Sequence, residues 1–204
     1  SLYPRLTGCL EEKGQDVVEV PLPVGLSPTT MFYGTIAEYF GVAEGLDAVV
    51  RKLAKEPDAL LRKARKRFSG MHMAVGIRML ANYRADQLAY EGLGDVAALK
   101  EMGFDLTLLV QGPPEEEARE RFEQSLKRAG VDLPFVVFPD PWSLSEKLKE
   151  GHFDLAYLAD HSREEAAKAE IPMITSRGLK PFLQGIEDNL AIIERLIEAS
   201  GGRK

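Results

Sequence analysis

Three short clusters hold the side chains best suited to chemistry: Asp160-His161-Ser162, the trio Arg78, Asn82 and Arg84, and Ser176-Arg177 ahead of Gly178. An imidazole changes charge near neutral pH, so His161 is the best-placed titratable group. Arginine suits carboxylate or phosphate, because its planar fork donates paired hydrogen bonds. Asp, His and Ser in one loop also fit nucleophilic catalysis. Triads, however, are assembled in space from distant segments, and adjacent residues rarely face one another. The competing reading has Asp160 or Ser162 capping a helix that starts at Arg163-Glu-Glu-Ala166. Arg78, Asn82 and Arg84 likewise fit either a ligand crevice or a solvated loop. His72, His152 and Cys9 show no metal-ligand spacing with anything nearby.

Position in the chain gives these clusters their interest. Five short apolar runs alternate with helical stretches: Met73–Ile77, Leu106–Val110, Phe135–Phe138, Leu155–Leu158 and Ile171–Ile174. Each is bounded by Gly, Pro or Asp, and the alternation predicts βαβ units and a parallel sheet. Ligands of such sheets bind in the crevice beyond the carboxyl ends of the strands. Arg78, Asp160-His161 and Ser176-Arg177 follow the first, fourth and fifth runs, and so fall at that end. The expected fold class is α/β, a Rossmann-like parallel sheet with helices on both faces, plus an N-terminal, mostly helical flank. We divide the chain into residues 1–70, a partial preceding domain or flank, and residues 71–204, the Rossmann-like domain. Gly76 stands alone within its strand, with no Gly-x-Gly-x-x-Gly, which argues against ordinary dinucleotide binding.

The flank predicts a helix near residues 4–13, a strand at Asp16–Val20, and a helix from Ser27-Pro28 to about Phe40. Ser27 is expected to cap that helix, with Pro28 in its first position. Its N-terminus could alternatively hold an anion, although the Gly-Lys-Ser/Thr of a P-loop is missing. Apolar residues from Leu46 to Phe68 then follow helical spacing, which Pro57 should interrupt. The basic run Arg62–Arg67 reads as a solvated helix end, offsetting the dipole, or as a dock for an acidic partner. Trp142 is expected to pack the next helix onto the sheet edge.

Composition narrows the classes. The net charge of −6 argues against a general nucleic-acid or anionic-membrane binder. No apolar run approaches the roughly 18 residues of a membrane span. The start at Ser1 carries neither an initiator Met nor a signal-peptide pattern and suggests a piece of something longer. A single cysteine, Cys9, fits a reducing cytoplasm. It cannot by itself supply the about four thiolates of an iron–sulfur cluster.

Several segments in order resemble the nitrogenase component 1 family, which includes nitrogenase, dark-operative protochlorophyllide reductase and cofactor scaffolds. They are Leu10-Glu-Glu-Lys-Gly14, Pro23-Val-Gly-Leu-Ser-Pro-Thr-Thr30, Thr35-Ile-Ala-Glu-Tyr-Phe40, Glu101-Met-Gly-Phe104, Asp154-Leu-Ala-Tyr157, Glu170-Ile-Pro172 and the helix led by Gly185. The resemblance implies one part of a subunit that helps form a metallocofactor or tetrapyrrole site and receives electrons from an ATP-dependent iron–sulfur protein. It also implies a homologous subunit as partner, in a homo- or hetero-oligomer. The family's cluster-bridging cysteines belong to a region absent here, and its cofactor-binding histidine falls near Thr175-Ser176-Arg177. No metal ligand is therefore carried over, no cofactor is expected on this chain alone, and a cluster or metallocofactor is expected in the full assembly. Catalytic residues stay unassigned, and the chain alone is expected to be inactive. The candidate cofactor-binding set is Arg78, Asn82, Arg84, Asp160, His161, Ser176 and Arg177. Two rivals stand beside this reading: a scaffold that binds an anionic metallocofactor without turnover, and an unrelated flavodoxin-like or sugar-binding domain. The stretch Ile77-Arg-Met-Leu-Ala81 lacks the Ser/Thr-rich loop that flavin mononucleotide binding would need.

Overall fold

A computed structural model describes residues 4–18, 20–78, 94–112, 115–128, 130–176 and 178–201. Asn82, Arg84 and Arg177 lie outside the described residues, as does the side chain of Arg78. The strands are β1 (His72–Arg78), β2 (Asp105–Gln111), β3 (Phe135–Phe138), β4 (Leu155–Leu158) and β5 (Met173–Thr175). They pair in the order β3-β2-β1-β4-β5, all parallel. The last strand is displaced from Ile171–Ile174 because Ile171 is held by the preceding turn, its N–H donating to the Ala166 carbonyl at 3.1 Å.

The described helices are α1 (Pro4–Glu12), α2 (Leu26–Tyr39), α3 (Ala43–Phe68), α4 (Gly94–Met102), α5 (Glu116–Arg128), α6 (Leu144–Glu150), α7 (Arg163–Lys168) and α8 (Gly185–Ala199). No described helix is long and apolar enough to cross a membrane. Residue alternation along the strands sorts the interior into two clusters. Met73, Val75, Ile77, Leu155 and Tyr157 point to a large cluster with Leu61 and Phe68 of α3, Leu99 and Met102 of α4, and Ile186 of α8. Ala74, Ala156 and Leu158 point the other way, to a smaller cluster closed by Leu144 and Leu148 of α6 and Ala166 of α7.

The flank joins the large cluster through Val24, Leu61, Ala64 and Phe68. Pro57 does not break α3, which runs unbroken for 26 residues with Pro57 buried inside it. Burial of that face outweighs the one hydrogen bond proline removes. Residues 16–18 and 20 form no strand. Among the described residues no strand pairs with this segment, and the Tyr39 hydroxyl ties it by donating to Asp16 Oδ2 at 3.0 Å.

Two side-chain clamps fix the backbone ahead of or within a helix, one short-range and one long-range. Asn189, fully buried on α8, accepts the Lys180 N–H at 2.7 Å and donates to the Lys180 carbonyl at 3.0 Å. Lys180's backbone thereby sits so close that a Cβ on Gly185 would lie 2.5 Å from its carbonyl oxygen. The second clamp is Glu101, described below.

Candidate functional site

Strand β1 has β2 on one side and β4 on the other, and the chain leaves in opposite directions from this pair. That is the topological switch point, where parallel sheets open a crevice. A cleft of about 60 Å³ lies there, at the carboxyl ends of β1 to β4. Its floor is Gly76, Phe138, Leu144 and Leu158; Gln111 and His161 stand among its polar lining. A Cβ at Gly76 would lie 2.6 Å from Leu158 Cδ2, so any larger residue there must push the buried Leu158 side chain aside. The slot is therefore apolar below and polar at the edge, and it admits only a small group.

Of the proposed residues, His161 lines this cleft and is exposed. Asp160 and His161 belong to a single 3-10 turn, Asp160–Ser162, that runs straight into α7. Neither Asp160 nor Ser162 caps α7 with its side chain: Ser162, at the cap position, has φ −92° and ψ 6° rather than the extended backbone of a capping residue, and the Asp160 carboxylate turns to Arg163. Asp160 pairs with Arg163 at 3.1 Å, both largely exposed, a contact worth little. No Asp-His-Ser relay is formed, since none of the three side chains bonds to another. Ser176 is placed at the neighbouring strand end, its N–H donating to the Leu158 carbonyl at 2.7 Å. The backbone of Arg78 closes β1 opposite Gln111. The structure thus brings His161 and the ends of β1 and β4 together around one crevice.

Sequence reasoning missed Gln111 and Glu165. Gln111 had a signal, as the first polar residue after the apolar run Leu106–Val110. Glu165 had none, because its burial follows from α7 packing against α6. Its carboxylate accepts from Lys168 Nζ at 2.7 Å, and that bond, with others from Ser145, holds it below the usual carboxylate range. Trp142 is 74% exposed rather than packed on the sheet edge. Asp140 holds the turn by accepting both the N–H and hydroxyl of Ser143, which aims Trp142 outward and leaves Leu144 and Leu148 to seat the helix.

The opposite face carries a buried polar pair. The Tyr157 hydroxyl donates to Asp95 in the first turn of α4. Burial raises the Asp95 carboxyl above its ordinary range, and the Tyr157 bond offsets part of that. Tyr157 is itself raised by burial and by the neighbouring carboxylate.

The flank's helix start is already occupied. Ser27 does not cap α2; the cap position is Gly25, which makes no side-chain bond. Glu101 of α4 supplies the anion, one oxygen accepting the Leu26 N–H at 2.6 Å and the other the Ser27 N–H at 2.8 Å. Gly25 has φ of 93°, and a Cβ there would sit 2.8 Å from Glu101 Oε2. The approach needs glycine for both reasons.

Among the described residues no group of three His, Cys, Asp or Glu side chains could hold a metal ion, and Cys9 is exposed on α1. The donor set does not fit direct ligation of a cluster by the described residues.

No curated protein sequence matches the chain. The solved structure of nitrogenase Cp1 at pH 6.5 is similar in fold, with a TM-score of 0.61 at 16% identity over 91% of this chain. The chain spans 40% of the length of that nitrogenase chain. The family model described as nitrogenase component 1 type oxidoreductase matches residues 2–183. With that match over most of its length, the chain belongs to the nitrogenase component 1 type oxidoreductase family.

Proposed function

We propose that this chain is part of a nitrogenase component 1-like oxidoreductase subunit, forming one wall of a metallocofactor or tetrapyrrole site in a larger assembly. In this reading electrons come from an ATP-dependent iron–sulfur partner, and a homologous subunit completes the site, in the cytoplasm. The observation that carries the reading is the family match over residues 2–183. The described side chains do not fit direct metal ligation, so the ligands come from elsewhere in the assembly. What this chain contributes is the crevice. Its apolar floor excludes water, and His161 and Gln111 offer hydrogen bonds at its edge. Arg78, Asn82, Arg84 and Arg177 are the groups whose chemistry suits an anionic cofactor or a propionate. Residues 1–70 act as a flank that meets the neighbouring part of the assembly, and residues 71–204 as the Rossmann-like unit.

The test is anaerobic co-purification of the parent protein with its neighbouring gene products, followed by metal analysis, visible spectra and a reductase assay. Bound iron with broad visible absorbance and ATP-dependent reduction supports the proposal. A retained coloured ligand without turnover replaces it with a non-catalytic scaffold. A colourless, iron-free complex sinks both.

A further inference from the structure

A second cleft, of about 300 Å³, opens between α2, α3 and α8, independent of the crevice and of any cofactor reading. Leu53, Pro57, Leu60 and Leu183 supply its apolar lining, and Glu56 and Glu187 stand beside them. Leu53 is 59% exposed, and the apolar surface continues through Val49 on α3, 50% exposed, towards Val42 just before the helix, 57% exposed. Val49 and Leu53 are four residues apart, so they share one side of the helix. Scattered exposed apolar residues need no explanation, whereas a stripe joined to a cleft marks a docking surface.

Charge selects the occupant. Glu56 and Glu187 are both exposed, and neither has an ion-pair partner among the described residues. Lys52 and Lys55 of α3 do not line the cleft, although Lys52 flanks the stripe between Val49 and Glu56, so the occupant's cations belong at the cleft, beside Glu56 and Glu187. A second copy docking by the same surface would bring four carboxylates together, which disfavours self-pairing. We propose that the cleft receives an amphipathic helix of a partner protein, with apolar residues on one face flanked by Lys or Arg. Such a helix lays its apolar face along Leu53 and Val49 and sets its cations against Glu56 and Glu187.

Two synthetic helical peptides with one leucine pattern, flanked either by lysines or by glutamates, test this by fluorescence anisotropy. The lysine-flanked peptide is expected to bind about tenfold tighter, with an advantage that fades as salt is added. The double variant Glu56→Lys/Glu187→Lys should reverse the preference, and Leu53→Asp should weaken both peptides. All three positions are exposed or rimming, and circular dichroism checks that the variants stay folded. Equal binding of the two peptides, a preference that survives charge reversal, or no binding of either overturns the proposal. Sedimentation that shows a dimer dissociated by Leu53→Asp also overturns it, by naming a second copy as the occupant.

Discussion

The two faces of the sheet are built from the same strands and have opposite characters. On one, Met73, Val75, Leu155 and Tyr157 meet α3, α4 and α8 in a cluster that also takes in the flank through Val24. On the other, β1 and β4 present Ala74, Gly76, Ala156 and Leu158, and among the described residues α6 and α7 cover them. Large side chains hold helices away from a sheet and fill the gap. Small ones let a helix come close at one end and leave a slot at the other. The thick face accordingly carries stability and the buried polar pair, while the thin face carries the crevice. Stability and site are separated across a single layer of backbone.

The comparison breaks most easily at the thick face. Phe68 is fully buried and stacks on Phe104 with centroids 4.7 Å apart. Phe68→Ala should cost about 3–5 kcal/mol in chemical denaturation. A loss below about 1 kcal/mol would mean that this face is not the stabilising one.

Next is the pair within it. Tyr157→Phe leaves Asp95 buried without its donor and should cost about 1–3 kcal/mol. The sign with pH is defined. A carboxyl raised on folding contributes stability in acid, and that contribution is lost as pH rises through its folded value. Removing the Tyr157 bond raises Asp95 further, so the gap between variant and parent should widen as pH increases. Denaturation at several pH values checks this, and a gap that narrows would contradict the assignment.

A comparable effect is expected on the thin face from Gly76→Ala, about 1–3 kcal/mol, because the new methyl meets Leu158. The same methyl intrudes on the crevice, so ligand retention by the assembled protein should fall more than stability does. Glu101→Gln keeps one acceptor and loses the charge that α2's N-terminus favours. A loss of about 1 kcal/mol in thermal or chemical unfolding is expected. Smallest is His161→Ala. Its side chain is exposed, so stability should stay within about 0.5 kcal/mol of the parent, and any loss of ligand binding then reports on the site alone.

How far these features were legible follows from the range of the interactions. Leu155–Leu158 was readable to the residue because a buried parallel strand is a bare apolar run bounded by turn residues, and Phe135–Phe138, at the sheet edge, because its short apolar run is closed by Pro134 and Pro139. Once the strands were ordered, the end of the sheet holding His161 followed from topology. The segment Asp16–Val20 has strand composition, yet a strand exists only with a neighbour, and the described residues offer none. Pro57 carries a local rule that tertiary burial overrode. Trp142 was misread because a hydrogen-bonded turn at Asp140, rather than hydrophobicity, decides which way the ring points. Glu165 and Gln111 became site residues only when α7 and β2 were set beside β4 and β1. The cap on α2 was out of reach, since its partner is 75 residues away.

That cap also imposes an order of events. As the chain emerges from the ribosome, Leu26 and Ser27 appear long before Glu101, so α2 has no anion at its start until α4 has been made. Until then the flank exposes both an unfinished helix end and the face of α3 that carries Leu61, Ala64 and Phe68, whose partners on α4 and α8 are still to come. The 26 to 101 contact is a long-range closure of the kind that slows folding. The nascent flank is thus a segment that must wait, and a cell that makes this protein must keep it from sticking during that interval.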